Sequence, residues 1–127
     1  MNDTNNTEVT MYLLVRTDLR MSKGKMCAQA GHATHLVIRA VELSPDEESK
    51  NYLKTWEEHS YPKIALNIPD EDTLMSVCKS LSEQGVIFTP VVDEGRTEIT
   101  PNTVTAVGVQ PLPRSLTKEI LGHLRLL

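Results

Sequence analysis

Two lysines stand where an apolar strand gives way to a helix that is rich in small residues, in the segment Ser22-Lys-Gly-Lys-Met-Cys-Ala-Gln-Ala-Gly-His32. Lys25, Gln29 and His32 follow one another at i, i+4 and i+7, so they share one face of that helix. The N–H groups at a helix start carry a partial positive charge that suits a phosphate or a developing oxyanion. The spacing therefore predicts a polar face that lines a cleft above the end of the strand.

A solvated surface is the other interpretation of this face. A cation at a helix N-terminus is mildly unfavourable, so the position of Lys25 needs a reason of its own. The phosphate-loop spacing GxxxxGK[ST] is absent. Lys23 and Lys25 can still bind phosphate as point charges, and Gly24 lets the backbone approach it. Both interpretations stay open at this point.

A second polar cluster, Asp93-Glu-Gly-Arg-Thr97, follows a predicted strand. Loops after strands carry many of the ligand contacts of α/β proteins. Asp93 can orient a water or pair with Lys25, and Thr97 and Thr105 add hydroxyl groups. The alternative is an ordinary Asp-x-Gly turn in which Asp93 caps its own backbone.

Other chemistries lack their sequence patterns. His32 and His35 have a spacing that occasionally binds zinc, but no carboxylate or cysteine stands at a matching position, so we expect no metal and no cofactor. There is no Gly-x-Ser-x-Gly elbow and no cysteine with a local base signature. Cys27 and Cys78 lie in apolar, helix-like stretches, which predicts two buried packing residues in a reducing compartment.

The elements that must position these residues predict an α/β fold. The 127 residues suit one domain over 11–127, preceded by a flexible tail over 1–10. Hydrophobic periodicity and breakers give the order β-α-α-β-α-β-β-α, a mixed four-stranded sheet with helices on both faces. Predicted strands cover 11–15, 63–68, 86–92 and 103–109; predicted helices cover about 23–42, 46–59, 70–84 and 116–122, the last one capped by Ser115.

Charge and hydropathy bound the setting. The formal net charge is −4, which argues against a protein that coats nucleic acid but allows a local basic patch. The first ten residues lack the pattern of a signal peptide, and no apolar run approaches the roughly 18 residues of a membrane span. We therefore expect a cytoplasmic protein without a membrane partner.

Several motifs, in order along the chain, resemble the archaeal/eukaryotic-type peptidyl-tRNA hydrolase family (type 2). The resemblance runs from about residue 11 to the last residue. It is carried by Val15-Arg-Thr-Asp-Leu19, Met21-Ser-Lys-Gly-Lys25, Ala28-Gln29, Gly31-His32-Ala33, Asp93-Glu-Gly-Arg-Thr97, Pro101, Thr103-Val-Thr105 and Gly122-His-Leu-Arg-Leu-Leu127.

This resemblance implies cleavage of the ester that joins a peptide to the terminal ribose of tRNA, on a metal-independent, often dimeric α/β fold. The family's functional lysine matches Lys25, its aspartate matches Asp93 and its two threonines match Thr97 and Thr105. His32 matches a histidine beside the site. Arg20, Lys23 and Arg96, with Gln29 beside the lysine, are the residues that we expect to bind the substrate.

Two other functions remain open beside peptidyl-tRNA hydrolysis. One is a non-catalytic homologue that binds a tRNA end or a nucleotide; Glu94, which stands where the family usually has alanine, and the net acidity favour it. The other is a protein-interaction module that works as a dimer through its exposed second helix. The intact pair of Lys25 and Asp93 favours the enzyme.

Overall fold

A computed structural model describes residues 8–93 and 102–127. Its elements follow the predicted order: β1 (Val9–Arg16), α1 (Lys23–Leu43), α2 (Glu47–Glu58), β2 (Lys63–Ile68), α3 (Glu71–Glu83), β3 (Phe88–Asp93), β4 (Thr103–Pro113) and α4 (Arg114–Leu121). The predicted α/β class is confirmed.

The four strands form one mixed sheet in the order β2-β1-β4-β3. β1 and β2 run parallel, as expected of strands joined by a long helical crossover, and β4 runs antiparallel to both β1 and β3. The carboxyl ends of β1, β2 and β3 and the beginning of β4 therefore lie at the same end of the sheet. The loop that leads into α1 leaves β1 at this end.

Helices cover both faces of the sheet, as predicted. On one face, α1 and α2 contribute Val37, Val41 and Trp56 to a core cluster. On the other face, α3 and α4 contribute Val77 and Leu121 to a second cluster. Both clusters are built from alternate residues of the central strands, because successive side chains of a strand point to opposite faces.

The long helix α1 owes its start and its seat to particular residues. Ser22 caps it: its hydroxyl accepts a hydrogen bond from the backbone N–H of Lys25 at 3.2 Å. Its buried stripe reaches β4 where Ala33 packs against Gly108. A Cβ added at Gly108 would lie 2.4 Å from the carbonyl oxygen of Ala33. The small residues Ala28 and Gly31, by contrast, are exposed.

Two predictions about the last third of the chain were wrong in detail. β4 continues through Pro111 to Pro113, because the register of β1 and β4 shifts by a bulge at this point and β3 has already ended its pairing at Val109. Consequently α4 begins at Arg114 with Pro113 as its N-cap, and Ser115 lies inside the helix. Pro90 stands on β3, which is an edge strand of the sheet.

The last residues of the chain cover the outer strand β2, on the side of the sheet away from β3. Asn67 donates its backbone N–H to Arg125 at 2.8 Å, and Leu127 donates to Ala65 at 3.0 Å. Together with an isolated bridge between Leu66 and Leu126, these bonds occupy the outer side of β2. An edge strand that is paired in this way is less able to recruit another chain.

The two cysteines differ in exposure. Cys78 is half-buried and burial raises the pKa of its thiol, whereas Cys27 is exposed on the first turns of α1. The expectation that both are buried was therefore wrong for Cys27, which points away from the stripe that packs on the sheet. Within 8–93 and 102–127, no helix combines the length and apolar character that a membrane span needs.

Replacing Gly108 with alanine should lower the free energy of unfolding by about 1–3 kcal/mol, because the new methyl group collides with a backbone carbonyl. Gly31→Ala is the matched control: a Cβ there meets nothing within 4 Å. It should raise the free energy of unfolding by about 0.5–1 kcal/mol through helix propensity. Urea denaturation of both variants measures the difference; equal effects would contradict the close packing of α1 on β4.

Iodoacetamide should alkylate Cys27 roughly tenfold faster than Cys78 in the native protein near neutral pH, because the thiolate is the reacting form. The raised pKa of Cys78 shifts its own reactivity towards higher pH. Peptide mass spectrometry follows both sites, and the denatured protein, in which both should react alike, is the control. Faster labelling of Cys78 in the native state would contradict this placement.

Candidate active site

An ion pair joins the first turn of α1 to the last residue of β3. Lys25 Nζ donates to Asp93 Oδ1 at 2.6 Å, across 68 positions of sequence. The lysine side chain is 12% exposed and that of the aspartate 4%. The pair is therefore nearly buried, and the lysine is its more exposed member. The predicted partnership of Lys25 and Asp93 is confirmed as a contact.

The sheet register determines where the carboxylate stands. Asp93 pairs with Thr103 of β4, and the backbone N–H of Asn102 donates to the Asp93 carbonyl at 2.7 Å. Val91, two residues earlier, belongs to the core beneath α1, so Asp93 points to that same face. The aspartate thus projects towards the N-terminus of α1 from a strand whose position is fixed.

Burial makes this pair more important for position than for net stability. Moving two charges out of water costs several kcal/mol, which their attraction roughly offsets. Removing one partner alone would leave an uncompensated buried charge, at about 3–5 kcal/mol. A pair with this energetic profile holds an ammonium group in a fixed place within a medium of low dielectric constant.

Thr105 lies at an irregularity of β4. The register of β3 and β4 shifts between Val91 and Val92, and Thr105 is the extra residue. It is fully buried, and its hydroxyl donates to the carbonyl of Val91 at 3.4 Å. The bulge brings a hydroxyl close to the strand end that bears Asp93. Thr97, Arg96 and Glu94 lie outside the described residues.

A second, unpredicted cluster holds the loop between β1 and α1. Arg16 is buried and makes two hydrogen bonds to Asp18, at 3.0 and 2.7 Å, which raise the pKa of the guanidinium. It also donates to the carbonyl of Val104 at 3.3 Å. The guanidinium therefore links the end of β1, the loop and the beginning of β4. An arginine that ends an apolar strand, with an aspartate two residues later, was the signal available in the sequence.

The predicted substrate-binding residues surround the ion pair at different depths. Arg20, in the loop, and Lys23, the first residue of α1, are exposed. Arg20 has a positive φ of 55°. Gln29, one turn beyond Lys25, is buried with Ala33 in the stripe of α1 that packs on the sheet, so it does not form one exposed face with His32. His32 is exposed two turns from Lys25, about 10 Å along the helix axis.

The arrangement provides a fixed cation, an anion behind it and the N-terminus of a helix beside them. Such a set stabilises negative charge that develops on an oxygen atom. It contains no group of three or more histidine, cysteine, aspartate or glutamate side chains that could hold a metal ion, as far as residues 8–93 and 102–127 are concerned.

Comparison with known proteins gives matches over nearly the whole chain. Residues 9–127 match the sequence model of a family described as "Peptidyl-tRNA hydrolase PTH2". The chain is 38% identical over 118 residues to a peptidyl-tRNA hydrolase of Sulfolobus acidocaldarius, covering 92% of this chain and 98% of that protein.

A mammalian relative is longer than this chain. "Peptidyl-tRNA hydrolase 2, mitochondrial" of Mus musculus is 39% identical over 119 residues, which cover 94% of this chain and 64% of the relative. A solved structure of an Agrobacterium protein of unknown function superposes with a TM-score of 0.61 at 11% identity, over 94% of this chain and 98% of that one. At that identity the likeness concerns the fold alone.

The family match covers every described element of the chain together with both members of the ion pair. This chain belongs to the peptidyl-tRNA hydrolase PTH2 family.

Proposed function

We propose that this protein hydrolyses the ester between a peptide and tRNA, at the site built around Lys25 and Asp93. The observation that carries the proposal is the nearly buried 2.6 Å ion pair between the first turn of α1 and the end of β3, in a chain of the PTH2 family. The names of the archaeal and mouse relatives support the substrate class.

In the proposed mechanism, Lys25 acts as a hydrogen-bond donor. Its 2.6 Å hydrogen bond to the Asp93 carboxylate supports this role, because the Lys25 amino group already acts as a donor there. Water adds to the ester carbonyl carbon, and the ammonium group stabilises the oxyanion that forms. The carbon–oxygen bond to the ribose then breaks, the ribose oxygen takes a proton, and the peptide leaves with a new carboxylate. Asp93 keeps the ammonium aimed at the reacting carbonyl.

Hydroxyl groups would hold the water or the peptide carbonyl in this scheme. Thr105, buried at the bulge of β4 with its hydroxyl near the carbonyl of Val91, would take this role together with Thr97, which is carried over from the family resemblance. Positioning of this kind converts a bimolecular encounter into a reaction between neighbours. His32, exposed beside the site, is proposed to assist from the substrate side.

Phosphate binding would fall to the cations around the pair. Arg20 and Lys23 are exposed just before Lys25 in the chain. Arg96 comes from the family resemblance, and Gln29 would contact the substrate next to Lys25. The proposed setting is a cytoplasmic homodimer without metal or cofactor. The mitochondrial designation of the mouse relative offers the other location.

Purified protein should release the N-acetyl-amino acid from N-acetyl-aminoacyl-tRNA and leave free aminoacyl-tRNA intact, because an amide bond at the amino group distinguishes the two esters. Acid-precipitable radioactivity over time measures both reactions under the same conditions. Salt-dependent tRNA binding without turnover of either ester would instead establish the non-catalytic homologue as the function.

Replacing Lys25 with alanine, or Asp93 with asparagine, should lower kcat by about 10²- to 10³-fold, because each change removes the positioned donor or its anchor. Lys79→Ala, an exposed lysine of α3 on the opposite face of the sheet, is the matched control and should retain full activity. Circular dichroism and urea melts establish that the variants are folded. Near-full activity in both site variants would show that this is not the active site.

A further inference from the structure

The solvent face of α1 carries a line of basic side chains that begins at the ion pair. Lys25, His32 and Arg39 recur every seven residues, two turns apart, so they lie nearly one above another. Fourteen residues of helix separate the first from the last, which is about 21 Å. His35 is exposed beside this line, between the second and third members.

This face is free of carboxylates over most of its length. From Lys23 to Val41 the helix contains neither aspartate nor glutamate, although the chain has 17 acidic residues and a net charge of −4. The neighbouring helices begin with acid: Glu47 and Glu48 in α2, Glu71 and Asp72 in α3. Most of the negative charge of the protein thus lies elsewhere. In α1 itself, Glu42 stands three residues after Arg39, and the face before it is a strip of basic side chains on which Lys25 and Arg39 carry the formal charge.

The strip is also open to a bulky ligand. Ala28 stands four residues before His32 and Gly31 four residues before His35, so each lies beside a histidine. Both are exposed, and a Cβ at Gly31 would meet no atom within 4 Å. These small residues leave space between the basic side chains, so a ligand can approach the helix backbone there. Among the ion pairs of residues 8–93 and 102–127, none involves Arg39.

We propose that this face of α1 binds the phosphate backbone of a base-paired RNA stem, with His32, His35 and Arg39 contacting successive phosphates as the stem leaves the ion pair. The proposal rests on the function proposed above and extends it from the end of the substrate to its stem. Phosphate contacts fix orientation without reading sequence. Through such a strip, a chain with a net charge of −4 would bind RNA on one face, along α1.

A protein partner is the competing occupant of the same face. Leu36 and Leu43 are exposed near it, at 42% and 69%. The basic side chains favour RNA because their spacing continues from the site itself, whereas Leu36 is one exposed leucine among them and Leu43 lies at the end of the helix. Leu36 and Arg39 consequently separate the two occupants experimentally.

The test measures binding of an RNA hairpin that ends in an unesterified single-stranded 3′ end, by fluorescence anisotropy over a range of salt. Arg39→Glu should weaken binding roughly tenfold and lower the slope of log affinity against log salt by about one. Lys79→Glu, which changes the net charge equally from the opposite face, should leave affinity nearly unchanged, and so should Leu36→Ser.

Hydrolysis kinetics separate this inference from the proposed function. In Arg39→Glu, KM for peptidyl-tRNA should rise about tenfold with kcat unchanged. Equal affinity in Arg39→Glu and wild type, or equal losses in Arg39→Glu and Lys79→Glu, would overturn the inference while leaving hydrolysis intact. Loss of a self-association in Leu36→Ser, with RNA binding unaffected by Arg39→Glu, would assign the face to a protein. An inactive wild type whose hairpin binding still depends on Arg39 would overturn only the hydrolase.

Discussion

The ion pair between Lys25 and Asp93 is the constraint on which the rest of the site depends. Its two members come from the first turn of a helix and the last residue of a strand. Their 2.6 Å contact is possible only when the helix begins where the strand ends, at one end of the sheet. Because both side chains are nearly shielded from water, the cost of misplacing either one is that of an unpaired buried charge. The fold therefore has an energetic reason to hold the ammonium group still, and a stationary ammonium group is what electrostatic stabilisation of an oxyanion requires.

The packing that holds this end of the sheet together lies some distance from the pair. Gly108 lets the backbone of α1 approach β4 so closely that any side chain there would collide with Ala33. This contact sets the height of the helix over the sheet, and hence where its first turn ends. At the same end of the sheet, the Arg16 guanidinium holds the loop that precedes α1 to the carbonyl of Val104. The geometry around the ion pair thus rests on one close backbone contact and one buried side chain.

The distribution of charge follows the same division of the molecule. α1 carries Lys25 and, as far as Val41, neither aspartate nor glutamate, whereas acidic residues open α2 and α3. An overall negative charge and a local affinity for phosphate are compatible when the charges are segregated in this way, because screening limits each to its own neighbourhood. Net charge by itself therefore does not argue against the proposed substrate.

The sequence by itself determined the class of fold, the order of the elements and both members of the ion pair, because periodicity, capping by Ser22 and local motifs act over short stretches of chain. It did not determine the bulge that places Thr105, the continuation of β4 through Pro111, the exposure of Cys27 or the clamp formed by Arg16. Each of these depends on partners far away in the chain: the register of β3 on β4, the shift between β1 and β4, and the side of α1 that the sheet covers. Tertiary structure alone decided them, since a residue's exposure and register are properties of what packs against it.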